Sequence, residues 1–221
     1  MLQIYGRKNS SQVIQVMWTV AELNLDHTRH NLGGSFGGLD TQEYRSLNPN
    51  GLVPTIDDDG FVLWESYAII RYLCHTYGQG SLWPQNPQTL ALADQWMEWA
   101  NSRFMPVFFP VFWSLIRTPK EQQNPDEIAS KSKDSAELLQ IVERQLQGKL
   151  FITGDTLTMG DIPLGSLMFK YYSLDIDRPS LPNIEAWYKR LGERNAYRQH
   201  AMNPFGANTE EWLAIEQSDS I

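Results

Sequence analysis

The chain has 221 residues, a formal charge of −8 (18 Lys+Arg against 26 Asp+Glu) and 12% aromatic residues. An acidic chain without a basic run is a poor partner for nucleic acid or an anionic membrane, and this aromatic content excludes a disordered chain. One cysteine, Cys74, excludes an internal disulfide, a CxxC redox pair and a cysteine-rich zinc site, and four scattered histidines leave no metal centre to expect.

Along the chain, MLQIYGRKNSS lacks the apolar core and cleavage site of a secretory signal, and Leu2 to Tyr5 reads as a short strand. From Ser11 to Leu23, Val13, Val16, Met17 and Val20 recur at helical spacing, which predicts an amphipathic helix with one buried stripe. His27 to Leu32 is a second strand candidate, followed by a glycine-rich loop (Gly33, Gly34, Gly37, Gly38) and the turn cluster Asn48-Pro49-Asn50-Gly51. Val53 to Ile56 and Phe61 to Trp64 form a hairpin across the Asp-rich turn ending at Gly60, and Glu65 to Tyr77 is a helix. The Gly/Pro-rich stretch from Gly78 to Gln88 marks the domain boundary.

Everything after it reads helical. Thr89 to about Ile116 is a long helix interrupted or kinked near its prolines, Pro106 and Pro110, and Asp126 to Leu146, Met159 to Tyr171, Asn183 to Glu193 and Asn208 to Glu216 follow. The longest apolar run, Phe104 to Ile116, is too short to span a bilayer, so a soluble, cytoplasmic protein with no membrane partner is expected.

Each motif has a structural and a functional reading. Thr158 and Asp161 fit a capping-box variant at a helix start. Val53-Pro54 opens a strand, where proline removes a ladder donor. It is either an edge residue or a cis proline that turns the Val53 backbone outward to an extended, peptide-like ligand. Glu65-Ser66 is either a first-turn acid with a cap, or a seat in which Ser66 receives a carboxylate and Glu65 an ammonium. Asn9-Ser10-Ser11 either caps the first helix or donates to a bound anion; no nearby histidine supports a serine nucleophile. Cys74 reads as a buried, inert thiol. The aromatic run Phe108, Phe109, Phe112, Trp113 is core, or lines a pocket opened by the prolines.

In this order and spacing, Tyr5-Gly6, Ser10, Asn48-Pro-Asn-Gly-Leu-Val-Pro54, Glu65-Ser66-Tyr-Ala-Ile-Ile-Arg-Tyr-Leu73 and the Thr158/Asp161 box resemble the cytosolic glutathione transferase family, in its bacterial theta/beta-like serine type. The resemblance spans about Met1 to Tyr197. It implies an α/β thioredoxin-like domain over residues 1–80 that binds glutathione, and an all-α domain over 88–221 that forms the electrophile site. It further implies that Pro54 is cis, that the Val53 backbone pairs with the cysteinyl unit, and that Glu65 and Ser66 hold the γ-glutamyl end. Ser10 would donate to the sulfur, with Asn9 and Ser11 as alternative donors. Phe108, Phe112 and Trp113 would wall the second-substrate pocket, and glutathione would be a cosubstrate in a homodimer that needs no metal. Tyr5, inside its strand, takes no catalytic role. Where many members carry Lys or Gln before Val-Pro, Leu52 stands. Glutathione-dependent disulfide reduction through the Asn9-Ser10 loop, or a non-catalytic binding module, are the alternatives.

Overall fold

The computed structural model describes residues 1–218. Strands β1 (Leu2–Tyr5) and β2 (His27–His30) run parallel around helix α1 (Ser11–Glu22). After helix α2 (Gln42–Leu47), β3 (Thr55–Asp58) and β4 (Phe61–Trp64) form an antiparallel hairpin, and helix α3 (Ser66–Tyr77) follows. The four-stranded sheet has the order β2-β1-β3-β4, with Ile4 paired to Ile56 at its centre and both fully buried.

The remaining described chain is helical: α4 (Pro87–Trp99), α5 (Met105–Arg117), α6 (Pro125–Gln145), α7 (Ile162–Ser173), α8 (Pro182–Gly192), α9 (Asn195–His200) and α10 (Thr209–Ser218). The expected helical unit 88–221 runs past these, its last three residues lying outside the described ones. An α/β thioredoxin-like part followed by an all-α part is therefore the architecture.

Four local features refine these expectations. Helix α1 is buried beyond one stripe, because it packs on α3 on one side and on α7 and α9 on the other; Ile14 and Trp18 are buried with the predicted Val13, Val16, Met17 and Val20. The segment before Asn48 contains α2, started by Thr41, whose hydroxyl accepts from the Tyr44 amide at 3.2 Å. The short α9 is a further helix between α8 and α10, and its buried Tyr197, which donates to the Gly165 carbonyl at 2.8 Å, holds it in place. The helix from Thr89, expected to be interrupted or kinked near its prolines, is two helices joined by a π-helical turn over Ala100–Phe104, with Pro106 in the first turn of α5, where a missing N–H costs little.

The Thr158/Asp161 box is present. The Thr158 amide donates to Asp161 Oδ2 at 3.0 Å, while Asp161 Oδ1 accepts from the Ile152 amide at 2.9 Å and from Trp187 Nε1 at 3.0 Å. One carboxylate thus ties the start of α7 to the preceding loop and to α8.

Candidate functional site

The first half of the site is built around Val53-Pro54, whose peptide bond is cis. The loop before it is held from behind: Tyr44 Oη donates to the Leu52 carbonyl at 2.6 Å, and Asn48 Nδ2 donates to the same carbonyl at 2.9 Å. The Val53 amide and carbonyl make no hydrogen bond among the described residues. They border a cavity of about 450 Å³ shared with Pro54, Glu65, Ser66, Gln12 and Asn101.

Helix α3 begins at Ser66, so Ser66 is its first residue rather than its cap, and Glu65 lies outside the first turn. Glu65 has φ +72°, a left-handed conformation that costs a non-glycine residue about 1–3 kcal/mol. Such strain at a cavity rim is typical of positions where the chain must aim a group at a ligand. Ser66 Oγ donates to Gln12 Oε1 at 2.6 Å, and Gln15 Nε2 donates to the same oxygen at 3.1 Å, which leaves the amide nitrogen of Gln12 as the donor facing outward.

The second half is a cavity of about 280 Å³ between the loop after β1, the start of α1, helix α5 and α10. Asn9, Ser10 and Ser11 line one side; Phe109, Phe112 and Trp113 line the other. Gln12 borders both cavities, so they meet at the first turn of α1. Ser10 occupies the N-cap position (φ −67°, ψ 125°), yet its hydroxyl makes no capping bond. An uncommitted hydroxyl beside free helix amides is a donor for an anion. Asn9 is buried, and neither atom of its amide has a hydrogen-bond partner.

Phe108 does not line this cavity. It is fully buried, stacks on Phe104 at 5.3 Å and meets Tyr171 edge-on at 5.7 Å. Phe109 and Trp113, four residues apart on α5, border the cavity, while Phe104 and Phe108 pack toward Tyr171 of α7; Phe112, four residues after Phe108, lies between the two faces, bordering the cavity and packing on Phe205 and Trp212. Tyr5 also stays away from both cavities and stacks on His30 at 5.0 Å.

Two cations and no acid line the second cavity. Arg7 Nε lies 2.9 Å from Glu216 Oε2, and Glu216 Oε1 accepts from the Ser35 amide at 2.7 Å. Burial pushes the Glu216 carboxyl up, but the Ser35 and Arg7 contacts outweigh it and hold the group below the usual carboxylate range. Arg117, at the end of α5, lies over Trp113 at 4.2 Å and over Trp212 at 4.9 Å. Cys74 is buried in α3, and burial alone pushes its thiol far up, so it has no thiolate to contribute. Among the described residues, no three His, Cys, Asp or Glu side chains converge as a metal site, and no helix is long and apolar enough to cross a membrane.

Residues 9–76 match the glutathione S-transferase N-terminal domain and residues 104–195 the glutathione S-transferase C-terminal domain. Glutathione S-transferase GstB of Escherichia coli K12 is 34% identical over 206 residues, which are 92% of this chain and 99% of that one. The chain belongs to the glutathione S-transferase family. Among solved structures, this family member is similar to the theta class glutathione S-transferase from Xanthomonas axonopodis pv. citri with glutathione bound, at 43% identity and a TM-score of 0.89, covering 93% of this chain and 99% of that one. It is also similar to glutathione transferase BmGSTD1 of Bombyx mori, at 27% identity and a TM-score of 0.79, covering 98% of this chain and 96% of that one.

Reading the sequence missed Gln12, Asn101, Arg117 and Trp212 as site residues. Arg117 carried a signal, four residues after Trp113 on one helix. Gln12, Asn101 and Trp212 carried none, since their positions depend on how the two parts of the chain dock.

Proposed function

We propose that the protein is a glutathione S-transferase that activates the glutathione thiol at Ser10 for attack on an electrophile in the second cavity. The observation that carries this reading is the shared border at Gln12: a cradle with an unpaired Val53 backbone adjoins an aromatic cavity, and the Ser10 hydroxyl, two residues from Gln12, lines that second cavity. In the cradle, the Val53 amide and carbonyl pair with the cysteinyl unit beside cis-Pro54. Ser66 and Gln12 receive the γ-glutamyl carboxylate, and Glu65 receives the ammonium. Ser10 then donates to the sulfur. A free thiol has a pKa of about 8.5, and a hydroxyl donor plus the positive helix end favour its thiolate at neutral pH. Phe112 and Trp113 hold the electrophile.

Ser10→Ala tests the assignment. A charge-assisted hydrogen bond contributes about 1.5–3 kcal/mol, so turnover of 1-chloro-2,4-dinitrobenzene is expected to fall about tenfold to a hundredfold, with the bound thiol titrating about one to two pH units higher. Full activity with an unchanged thiol pKa would refute the role. Glutathione-dependent disulfide reduction is the second reading, favoured by the unpartnered Asn9 amide beside Ser10. A glutathionylated substrate assayed beside the halo-aromatic one decides between them. A non-catalytic module would show no glutathione binding by calorimetry, which would sink both enzyme readings; Leu52, 62% exposed where a cation would meet the glycine carboxylate, favours it.

We further propose residues 1–80 and 88–221 as the two domains, and a cytoplasmic homodimer. Exposed Leu52, Phe61 and Trp64, the last two on edge strand β4, support an interface there. A 25 kDa species in sedimentation at micromolar concentration would contradict the dimer.

A further inference from the structure

The chain is acidic overall, yet the cavity beside Ser10 has a positive lining. Its two charged residues, Arg7 and Arg117, are both cations. They differ in compensation. Arg7 faces Glu216, whose second oxygen is held by the Ser35 amide. Arg117 forms no ion pair with a carboxylate among the described residues. Its guanidinium is flanked instead by the Trp113 and Trp212 rings. Burial, then the like charge of Arg7, lower its pKa, while Glu216 acts the other way. An arginine remains charged under any such influence, so this is a half-buried, uncompensated cation.

Such a cation is stabilised by an anion that fits its planar fork. The walls around it are largely aromatic: Phe109, Phe112, Trp113 and Trp212, with Met105 beside them. The cavity therefore combines ring-stacking surfaces with one uncompensated donor fork and the Ser10 hydroxyl.

We propose that the electrophile taken by this cavity is an aromatic acid, its ring against Phe109, Phe112 and Trp113 and its carboxylate on Arg117. This rests on the conjugation reading and names the substrate class of that same site. The thiol proton leaves to solvent before attack. The thiolate sulfur then forms a C–S bond to the ring carbon bearing a halide, the C–halogen bond breaks, and the halide departs with the electron pair. The carboxylate is unchanged and serves to place the ring. A thiolate and a carboxylate would otherwise repel within one small cavity; Arg117 offsets that repulsion.

The experiment compares 4-chloro-3-nitrobenzoate with 4-chloro-3-nitrobenzamide, which differ in charge but little in shape. kcat/KM for each is measured at saturating glutathione and divided by its uncatalysed rate with glutathione. The wild type is expected to favour the acid by about tenfold or more, Arg117→Met to lose that preference, and Arg117→Lys to recover part of it, since lysine keeps the charge without the fork. A wild type that does not prefer the acid would overturn the proposal. So would an Arg117→Met variant that loses rate equally on both substrates, because Arg117 would then serve the thiolate.

Failure of the wild type to conjugate any halo-aromatic, 1-chloro-2,4-dinitrobenzene included, would defeat the conjugation reading instead. Binding then decides the charge assignment on its own. By calorimetry, 3-nitrobenzoate is expected to bind at least tenfold tighter than 3-nitrobenzamide to the wild type, with the difference lost in Arg117→Met. Equal affinities in the wild type would overturn the proposal.

Discussion

Replacing Asp161 by asparagine is expected to alter the pH dependence of stability in the direction set by burial, opposite to that of an ion-paired acid whose pKa is depressed. Asp161 is fully buried, and burial pushes its carboxyl from 3.8 up to about 6, although the bonds from Ile152, Thr158 and Trp187 favour the ionised form. A native pKa above the unfolded one means that the folded protein binds the proton more tightly. Stability is therefore lost as pH rises from about 4 to 6, because the unfolded chain ionises first. At about 1.4 kcal/mol per pH unit, the rise corresponds to a total of about 3 kcal/mol, of which about 2 kcal/mol falls between pH 4.5 and 7.5.

In Asp161→Asn the side-chain oxygen can keep the Ile152 and Trp187 donors, but the new amide N–H faces the Thr158 amide. One buried donor is left unpaired, at about 1–3 kcal/mol. Denaturant unfolding of both proteins from pH 4.5 to 7.5 isolates the site, because every other titration cancels in the difference. The variant should be less stable at pH 4.5, and the gap should close by about 2 kcal/mol by pH 7.5. A gap that is constant or widens with pH would refute the reasoning.

Phe108→Ala, deep in the core, should lose about 3–5 kcal/mol of stability, whereas Trp113→Ala, 43% exposed, should leave the melting temperature nearly unchanged and raise KM for an aromatic electrophile. The reverse pattern would return Phe108 to the pocket wall. Gly165→Ala would place a Cβ 2.9 Å from the Trp18 ring and 3.0 Å from Leu191, a crowding worth about 1–3 kcal/mol by thermal denaturation; an unchanged midpoint would mean that α1 and α7 can part freely. Glu216→Gln should weaken the attachment of α10 to Arg7 and Ser35, raising hydrogen exchange of α10 amides at pH 7. Because the native Glu216 carboxyl is held low, its contribution in the wild type is present above about pH 4.5 and fades as pH falls through the depressed native value. Equal exchange in variant and wild type at pH 7 would dismiss the clasp.

Much of this was legible locally. Short apolar runs and an Asp-Gly turn placed β1 and β4, and period-3.6 patterns placed α1, α3 and α6, since an apolar stripe on a helix must be buried. The Thr158/Asp161 spacing named its own hydrogen bonds, because a capping box is closed within four residues. Helix α2 was hidden by the glycines and turn residues around it, and α9 by its shortness, for a six-residue helix is made by tertiary contacts rather than propensity.

By itself the sequence determined the two-part architecture, the family resemblance and the shortage of sulfur, histidine and metal ligands that leaves chemistry to a bound thiol. Only the tertiary structure decided which face of α5 meets the site. That choice turned Phe108 into core and made Arg117 and Trp212 neighbours of Ser10. Docking of α5 and α10 against the first turn of α1 brings together residues about a hundred and two hundred positions apart. Spacing along one helix fixes relative faces, but the face that meets a partner is set by the sum of all the packed surfaces, which no local pattern contains.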